Sequence, residues 1–377
     1  MFDASRLVLL IGPPALPVPA PLPLVEALQR VEVDSSVERT GFQLTFTVGK
    51  SSPLQLAMLP VGLLDPIATR VVLVMIHTGI PHVLADGIVV RHQLTPSNQA
   101  GQSTLTLTGE DLTVLMDLVE VRAPYPAMDV MAQANLILAK YAAFGIMPAT
   151  TPPLVPTLKR PTDRFDQQTG TDLAYLRGLA RQCGYAFYLR PGPVPCASRA
   201  YFGPNPSPLD LSPMPALSIN GDADTNVDQL SFAFDGMKSK VRVVSTLDPV
   251  TRKILIPIPV PSVNPLRPPL GARMSPPAKL RFSNDTASLP PDELANRVLG
   301  DMAEDTDAVT ASGSLNVARY GHMLKAGGIV GVRGAGLTYD GLYYVDNVNH
   351  SIKPGEHTQS FRLSRDGLVS PTPVVPP

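Results

Sequence analysis

The sequence predicts an α+β fold that is mainly β, in which two β-rich regions lie on either side of a helical middle. Near both ends, apolar and polar side chains alternate with the period of two that is typical of half-buried strands. Between these regions, apolar residues recur at helical spacing next to helix-capping residues. A chain of 377 residues is long enough for two or three domains with buried cores.

The first β-rich region extends to about residue 116. Gly41–Val48 places four apolar side chains on one face, and Val71–Ile76 is a continuous apolar run, which indicates a strand covered on both faces. Ala85–Gly87 is a turn signal, so we expect a strand to start after it, at Ile88–Gln93. Thr104–Thr108 alternates threonine with leucine. Short strands at this spacing are typical of an antiparallel barrel or a sandwich.

Two helices are predicted in the middle of the chain. Pro126 suits the first turn of the first helix, and Gly145 suits its C-terminal end. Thr171 can cap the second helix, which Gly184 ends, and the alternating strand Tyr185–Leu189 follows directly. The apolar faces of the two helices consist of Val130, Ala134, Ile137 and Tyr141 in the first and of Leu173, Leu176 and Leu179 in the second.

The second β-rich region begins near residue 225. It contains a proline-rich excursion and a third helix, which has Leu294, Val298 and Met302 on one face. The predicted strands before and after this helix are Leu230–Phe234, Val241–Thr246, Ser314–Val317 and Ile329–Val332.

A hairpin, Asp340–Asp366, lies near the C-terminal end. On its second strand Phe361 and Leu363 point one way, while the polar residues between them point the other. The connection contains Pro354, which fixes φ at the first central turn position, and Gly355, which permits a positive φ at the second. This pair predicts a type II turn.

The composition excludes several classes of function. With 31 Lys and Arg against 32 Asp and Glu, the net charge of −1 gives no case for nucleic acid or an anionic membrane as the main partner. No apolar run is long enough to span a bilayer, and Leu7–Ile11, which we interpret as a first strand, is too short for a signal peptide. Cys183 and Cys196 are expected to be free thiols rather than a disulfide.

Proline is the outlier of the composition. The 42 prolines are about twice the average usage, and they gather in clusters that forbid long regular structure. We interpret the clusters as stiff connections between β elements. A proline-rich ligand for an aromatic groove is the alternative interpretation.

No motif in the sequence predicts a catalytic, cofactor-binding or metal site. His77 and His82 lie five residues apart around a Gly and a Pro, which favours a turn over a zinc site. His350 lies on a predicted strand, where a hydrogen-bonded sheet residue is the simpler interpretation. The glycines of Gly327–Gly336 lack the spacing of a phosphate loop. The acidic residues Asp301, Glu304, Asp305 and Asp307 lack the spacing of a calcium loop and are expected to form a solvated helix end.

Three separated stretches carry a resemblance to a known family. They are LVEALQRVEVDSSVERTGFQLTFTV at Leu24–Val48, TDLAYLRGLARQCGYAFYLRPG at Thr171–Gly192, and the hairpin Asp340–Asp366. In this order they resemble the phage-tail hub family. This family includes the baseplate hub of contractile phages, the late control protein D group and the N-terminal half of the type VI secretion spike VgrG.

The resemblance implies two tube-like antiparallel β-barrel domains that bracket an α+β middle domain. Residues 1–116 and 225–367 would form the two barrel domains, and residues 117–224 the middle domain. Residues 368–377 would form a proline-rich tail. The proline-rich segment at about residues 250–290 would be an insertion in the second barrel domain that has no match in the family.

The function implied by the resemblance is structural and not enzymatic. Three copies, each with two barrel domains, would form a ring of six that joins a six-fold tail tube to a three-fold spike and lines the channel. The implied partners are two further copies, tail tube or tube-initiator proteins, other baseplate proteins and a spike. The spike would be a separate polypeptide, or else absent, because this chain ends soon after the hairpin.

The resemblance further implies cytoplasmic assembly within a phage tail or injection-system particle. From the charge, the apolar runs and the motifs, no cofactor, no specific nucleic acid and no membrane insertion are expected. Two alternatives remain open: a distal-tail or receptor-binding adaptor of a non-contractile phage, and a tail-associated enzyme that degrades the cell wall.

Overall fold

The computed structural model of the protein describes most of the chain. The described residues form a mainly β structure with large antiparallel sheets, which confirms the α+β, mainly β fold class predicted from the sequence. No helix in this part of the chain is long and apolar enough to cross a membrane. The described residues are 6–49, 52–99, 102–156, 166–205, 213–220, 224–244, 258–261, 264, 267–282, 291–303 and 307–371.

The N-terminal part contributes seven strands to one large sheet. In the fourth strand, buried and half-buried residues alternate without interruption, as predicted for Gly41–Val48. In the fifth strand all residues but one are buried, as the apolar run Val71–Ile76 predicts. The elements are β1 (Arg6–Gly12), β2 (Val18–Pro19), α1 (Leu22–Glu26), β3 (Leu28–Ser36), β4 (Thr40–Val48), β5 (Arg70–His77), β6 (Ile80–Thr95) and β7 (Ser103–Asp111).

The middle of the chain has an apolar core that is distinct from the core of the large sheet. Two helices pack beside a two-stranded and a three-stranded sheet, so this part is α+β. Its elements are β8 (Glu120–Tyr125), α2 (Val130–Ala139), β9 (Ile146–Thr150), β10 (Asp166–Thr171), α3 (Asp172–Gln182), β11 (Ala186–Pro191) and β12 (Ser198–Gly203).

The C-terminal part returns to the large sheet and adds the strands of the proline-rich segment. Its elements are β13 (Pro213–Ser218), β14 (Gln229–Phe234), β15 (Lys240–Val244), β16 (Ile258–Pro261), β17 (Arg273–Met274), β18 (Lys279–Phe282), α4 (Pro291–Ala303), β19 (Val309–Asn316), α5 (Val317–Tyr320), β20 (Ile329–Arg333), β21 (Gly341–Lys353), β22 (Glu356–Arg365) and β23 (Gly367–Leu368).

The two β-rich parts of the chain share one 13-stranded sheet. Its strand order is β14-β19-β22-β21-β3-β4-β7-β6-β5-β1-β2, with β20 and β13 branching from β21. Across the described residues the path has open ends at β14 and β2, so strand pairing closes neither of the expected barrels. The division into domains 1–116, 117–224 and 225–367 stays a prediction.

The large sheet branches at β21. The first residues of β21, Gly341–Tyr344, pair with β20, whereas Asn347–Ile352 pair with β3. A register shift between Val345 and Asn347 leaves Asp346 as a bulge residue at the point where the partner changes. The same apolar core continues on both sides of this branch, from Leu9 in β1 to Leu368 in β23. The two β-rich parts are therefore joined by backbone pairing and by packing.

The predicted turn at Ala85–Gly87 is wrong. These residues lie inside β6, and the chain reverses instead at Thr78 and Gly79, which both have positive φ. Gly87 is required by close packing, because a Cβ there would lie 2.0 Å from the carbonyl oxygen of Glu110 on β7. Asp86 is buried in an ion pair rather than exposed in a turn.

The predicted helices are present with shifted ends. Helix α2 begins after Pro126, at Val130, because the Asp129 side chain accepts a hydrogen bond from the backbone N–H of Ala132. A short 3-10 turn follows this helix and ends at Gly145, which has a positive φ. In the second helix, α3, the side chain of Thr171 caps the first turn as predicted, by accepting from Ala174 N.

The predicted hairpin is confirmed as β21 and β22. Gly355 has φ of 78°, as a type II turn requires at that position. Phe361 and Leu363 are buried, while Ser360 and Arg362 are exposed, and the alternation ends where Ser364 becomes buried. The strand predicted at Ser314–Val317 ends one residue earlier, because the Asn316 side chain caps α5.

The described strands of the proline-rich segment pair with other parts of the chain. Strands β16 and β18 flank β15 in a small three-stranded sheet, and β17 pairs with β23 next to the hairpin. Thr246 and the strand end predicted there lie outside the described residues.

Candidate functional site

The histidines considered in the sequence lie in two strand regions of the structure, the turn between β5 and β6 and the C-terminal hairpin. No group of three or more His, Cys, Asp or Glu side chains within the described ranges could hold a metal ion. His77 is buried, and its Nε2 lies 3.0 Å from the carbonyl oxygen of Gly321. His82 is half-buried across the turn, and its pKa is lowered by burial and then by Lys325 and His77. His77 is the last residue of β5 and His82 lies in β6, so the two histidines flank the turn at Thr78 and Gly79.

A buried histidine pair lies across the hairpin. Nδ1 of His350 lies 3.1 Å from Nε2 of His357, and Nε2 of Gln359 lies 3.4 Å from the His350 ring. Burial, and then the charge of His357, lowers the pKa of His350 to about 3. Burial, and then the charge of His77, lowers the pKa of His357 to about 4. The pair is therefore neutral in the folded protein near neutral pH.

Arg70 on β5 and Asp86 on β6 form a buried ion pair within the large sheet, and both residues also bond the middle of the chain. The guanidinium Nε and Nη2 each donate to one carboxylate oxygen of Asp86, both at 2.7 Å. Nη1 of Arg70 donates to the carbonyl oxygens of Pro14 and Phe144, at 2.8 and 2.9 Å. Ser198 at the start of β12 also donates to Asp86, at 3.1 Å. One buried guanidinium thus fixes backbone from both parts.

A second buried arginine, Arg365, fixes the end of the hairpin. Its guanidinium donates to the carbonyl oxygens of Gly367, Asp340 and Thr338 at 2.7 to 3.0 Å and lies 4.5 Å from the centre of the Tyr343 ring. Sequence reasoning did not identify Arg70 or Arg365. The sequence feature that could have identified them is a charged residue directly before or after an apolar strand pattern.

A polar cleft of about 660 Å³ opens beside the branch in β21, and the bulge residue Asp346 lines it. The hydroxyl of Ser364 lies 2.6 Å from Oδ1 of Asp346 and 3.0 Å from Oδ2 of Asp307. A hydroxyl has one proton, so it donates to only one of the two carboxylates at a time. Burial, and then the charge of Asp307, raises the pKa of Asp346 to about 6.

The cleft contains a carboxyl group with a raised pKa and several ion pairs, and its described lining contains no histidine or cysteine. Arg267 pairs with Asp307, and Arg297 lies 3.7 Å from Asp301. The walls of the cleft include residues of α3, α4 and β21. The arrangement is that of a polar seam between the middle of the chain and the large sheet.

The prediction of a solvated helix end is wrong for Asp301. This carboxylate is buried in α4 and accepts from Nη1 of Arg242 on β15 at 3.0 Å. It therefore ties the helix to the small sheet of the proline-rich segment. Asp307 pairs with Arg267, and Glu304 and Asp305 lie outside the described residues.

The glycine-rich segment Gly327–Gly336 forms turns and close contacts around β20. Gly327, Gly334 and Gly336 have positive φ, and a Cβ at Gly334 would lie 1.8 Å from the carbonyl oxygen of Ile219. Cys183 is buried and Cys196 is half-buried, and both are free thiols as expected.

The surface presents many large apolar side chains along the open strand edges and loops. Leu16, Val18 and Leu22 are 72%, 51% and 68% exposed beside the open edge β2. Others follow the same pattern near β8 and β18: Leu118, Val119, Leu280 and Phe282. An open strand edge beside exposed apolar side chains is a surface on which another strand can pair.

Comparison of the whole chain with known proteins shows which fold this is. No family model matches the sequence, and no curated protein matches it. The tail protein from Neisseria meningitidis MC58 matches with a TM-score of 0.62 and 14% identity, over 97% of this chain and 98% of its own. The 43 kDa tail protein of prophage MuSo2 from Shewanella oneidensis matches with a TM-score of 0.63 and 13% identity, over 97% of this chain and 100% of its own.

The chain has the fold of a phage tail protein. The E. coli c3393 protein, a component of the type VI secretion system, also matches, with a TM-score of 0.53 and 11% identity, over 93% of this chain and 77% of its own. At these identities the comparison establishes the fold. The resemblance to the tail hub family, stated from three stretches of sequence, is confirmed at that level.

Proposed function

We propose that this protein is a structural hub of a phage tail baseplate or of a phage-like contractile injection system. Three copies form a ring that joins the six-fold tail tube to a three-fold central spike and lines the channel between them. Its partners are two further copies, tail tube or tube-initiator proteins, a separate spike protein and other baseplate proteins. It assembles in the cytoplasm into the tail or injection particle.

The whole-chain fold match to the two tail proteins is the observation that carries this proposal. The match covers 97% of this chain and at least 98% of each of theirs. The similarity therefore concerns the complete arrangement of two β-rich parts and a middle part, and not one motif that many folds contain. The fold alone does not determine the function.

The described architecture supports a mechanical role. The pairing of β3 with β21 and the shared apolar core hold the two β-rich parts together. Hydrogen bonds from Arg70 to the carbonyl oxygen of Phe144 and from Ser198 to Asp86 fix the middle of the chain to the sheet. Two rigidly held β-rich parts per chain suit a component that converts three-fold into six-fold symmetry. The role is binding and support, without a catalytic step.

Native mass spectrometry of the purified protein tests the proposal. The expected result is a species with three times the 40.2 kDa mass of the chain, either alone or with the spike protein present. A protein that stays monomeric at micromolar concentration, with the spike protein present, would contradict the hub. A sheath gene beside the gene for this chain separates the contractile hub from an adaptor of a non-contractile phage.

A further inference from the structure

Backbone hydrogen bonds hold the branch of the large sheet on both sides of the bulge residue Asp346. The N–H of Val345 donates to the carbonyl oxygen of Gly328 at 2.9 Å, and the N–H of Gly327 donates to the carbonyl oxygen of Val345 at 2.7 Å. The carbonyl oxygen of Asp346 accepts from the N–H of Val37, just after β3, at 3.3 Å. One short segment of β21 is therefore bonded to the loop before β20 and to the loop after β3.

The side chain of Asp346 shares one hydroxyl group with a second carboxylate. Ser364 is buried on β22, and its Oγ lies 2.6 Å from Oδ1 of Asp346 and 3.0 Å from Oδ2 of Asp307. While both carboxylates are charged, the single hydroxyl proton can serve only one of them, and two negative charges face the same oxygen. The charged pair is therefore left one hydrogen bond short.

One added proton removes this conflict. A protonated Asp346 donates its O–H to Oγ of Ser364, and the Ser364 hydroxyl then donates to Asp307, so both short contacts become hydrogen bonds. Arg267 forms an ion pair with Asp307. The negative charge that remains is therefore best placed on Asp307, beside the guanidinium, and the proton on Asp346.

The charges that act on Asp346 come from several elements. Burial raises its pKa most, the Ser364 hydrogen bond lowers it, the charge of Asp307 raises it, and Arg267 and Arg362 lower it. The result is a pKa of about 6. The other titratable residues that line the cleft are Glu38, Arg181, Tyr185, Lys238, Arg297, Asp301 and Tyr344.

We propose that Asp346, Ser364 and Asp307 form a proton-operated latch at the branch of the sheet. Uptake of one proton from solvent by Asp346 completes the hydrogen-bonded chain and holds the bulge against β22. When the branch opens, Asp346 is exposed to water and binds a proton only weakly, so mild acid favours the closed branch. The latch is a property of the single chain and does not depend on the proposed trimer or its partners.

Hydrogen exchange of the branch, measured by mass spectrometry and corrected for intrinsic exchange rates, tests the latch. The reporters are peptides that contain the N–H groups of Val37, Gly327 and Val345. Asp346→Asn is the reference, because an amide N–H can donate to Ser364 at every pH and does not titrate in this range. The histidines are the same in both proteins, so their effect cancels in the ratio of the two opening constants.

The expected result is a ratio, wild type over Asp346→Asn, that falls about tenfold between pH 8 and pH 5. This factor follows from a pKa of about 6 in the closed branch and the ordinary value of 3.8 in the open one. Asp34→Asn is the matched control, since Asp34 is an exposed carboxylate that accepts from the neighbouring Asn347 at 2.6 Å. The control should keep the wild-type pH profile.

A second variant tests the sharing of the hydroxyl between the two carboxylates. Asp307→Asn removes the facing charge and frees Arg267 from its ion pair, so the midpoint of the wild-type pH profile should move down by about one unit. An unchanged midpoint overturns the latch. A ratio that stays constant or rises between pH 8 and pH 5 also overturns it, and this comparison decides alone if Asp307→Asn does not fold.

Discussion

Arg70 shows how one buried side chain can hold distant parts of a chain together. Its guanidinium satisfies the Asp86 carboxylate and two backbone carbonyls, and the side chains of Arg70 and Asp86 are 0% and 1% exposed. Taking two charges out of water is costly, so the pair persists only because nearly every donor and acceptor is matched. Removal of either partner leaves the other charge buried without compensation.

Asp86→Ala should therefore destabilise the protein by about 3 to 5 kcal/mol, as is typical when one partner of a buried ion pair is removed. Urea unfolding at one protein concentration measures the change. Glu32→Ala is the matched control: Glu32 also pairs with an arginine, Arg30, but both side chains are partly exposed. The control should cost less than about 1 kcal/mol. Equal losses of unfolding free energy in the two variants would mean that burial of the Arg70 pair does not increase the cost of removing one partner.

At the scale of elements, caps set where the helices begin. Thr171 accepts from the backbone N–H of Ala174 at 3.2 Å and donates to Asp117 at 2.6 Å, so one hydroxyl starts α3 and ties it to the segment before β8. Asp129 plays the capping role for α2. These polar side chains satisfy N–H groups that the first helical turn leaves without partners.

Thr171→Val keeps the shape of the side chain and removes both hydrogen bonds. We expect a loss of about 1 kcal/mol in the free energy of unfolding, the usual cost of losing a capping residue. Faster amide hydrogen exchange in the first turn of α3 should accompany it. Thr169→Val on the exposed face of β10 controls for the substitution itself and should change the stability by less than about 0.5 kcal/mol. Unchanged exchange in α3 would contradict the capping role.

The elements that the sequence predicted well are those whose signal is local. Four such features depend only on neighbouring residues, and each is found in the structure. They are the alternation in Gly41–Val48, the apolar run of β5, the Thr171 cap and the Pro354-Gly355 turn. Ala85–Gly87 failed for the opposite reason. Its Asp-Gly pair resembles a turn, but Asp86 is required by Arg70 and Gly87 by the backbone of β7, and both partners are distant in sequence.

The site features were less predictable, because they depend on contacts across the whole fold. The resemblance from three stretches led to the right fold. The branch of the sheet at Asp346, the cleft beside it and the burial of Asp301 follow from how β21, α3 and α4 meet, which no local pattern encodes. The solvated helix end expected around Asp301 failed because Arg242 lies on a strand about sixty residues earlier.

At the scale of the whole molecule, a histidine cluster lies where the two β-rich parts meet. His77 is the last residue of β5 and reaches the carbonyl oxygen of Gly321, just after α5. His350 and His357 pair across the hairpin, and His77 contributes to the lowered pKa of His357. The hairpin that joins the C-terminal part to β3 thus buries two imidazoles, His350 and His357, whose lowered pKa values keep them neutral.

This cluster predicts that the protein loses stability in mild acid. The folded-state pKa values of His350 and His357 are about 3 and about 4, below the value of 6.5 for an unperturbed histidine. Above about pH 6.5 both states are neutral at these positions and the stability is fully present. As the pH falls, the unfolded chain binds two protons that the folded chain does not. Each histidine then removes up to about 1.4 kcal/mol per pH unit.

Asp346 acts in the opposite direction, because its folded-state pKa is raised from 3.8 to about 6 and the folded chain binds that proton first. Protonation of one carboxyl stabilises the folded protein, whereas protonation of two histidines in the unfolded chain destabilises it. The three groups together therefore lower the free energy of unfolding on acidification. Urea midpoints from about pH 7 to about pH 4.5, at one protein concentration, measure it. The variant His350→Gln with His357→Gln should show a clearly shallower decline, and Asp346→Asn a steeper one. Parallel pH profiles in wild type and the double histidine variant would exclude the cluster as the cause.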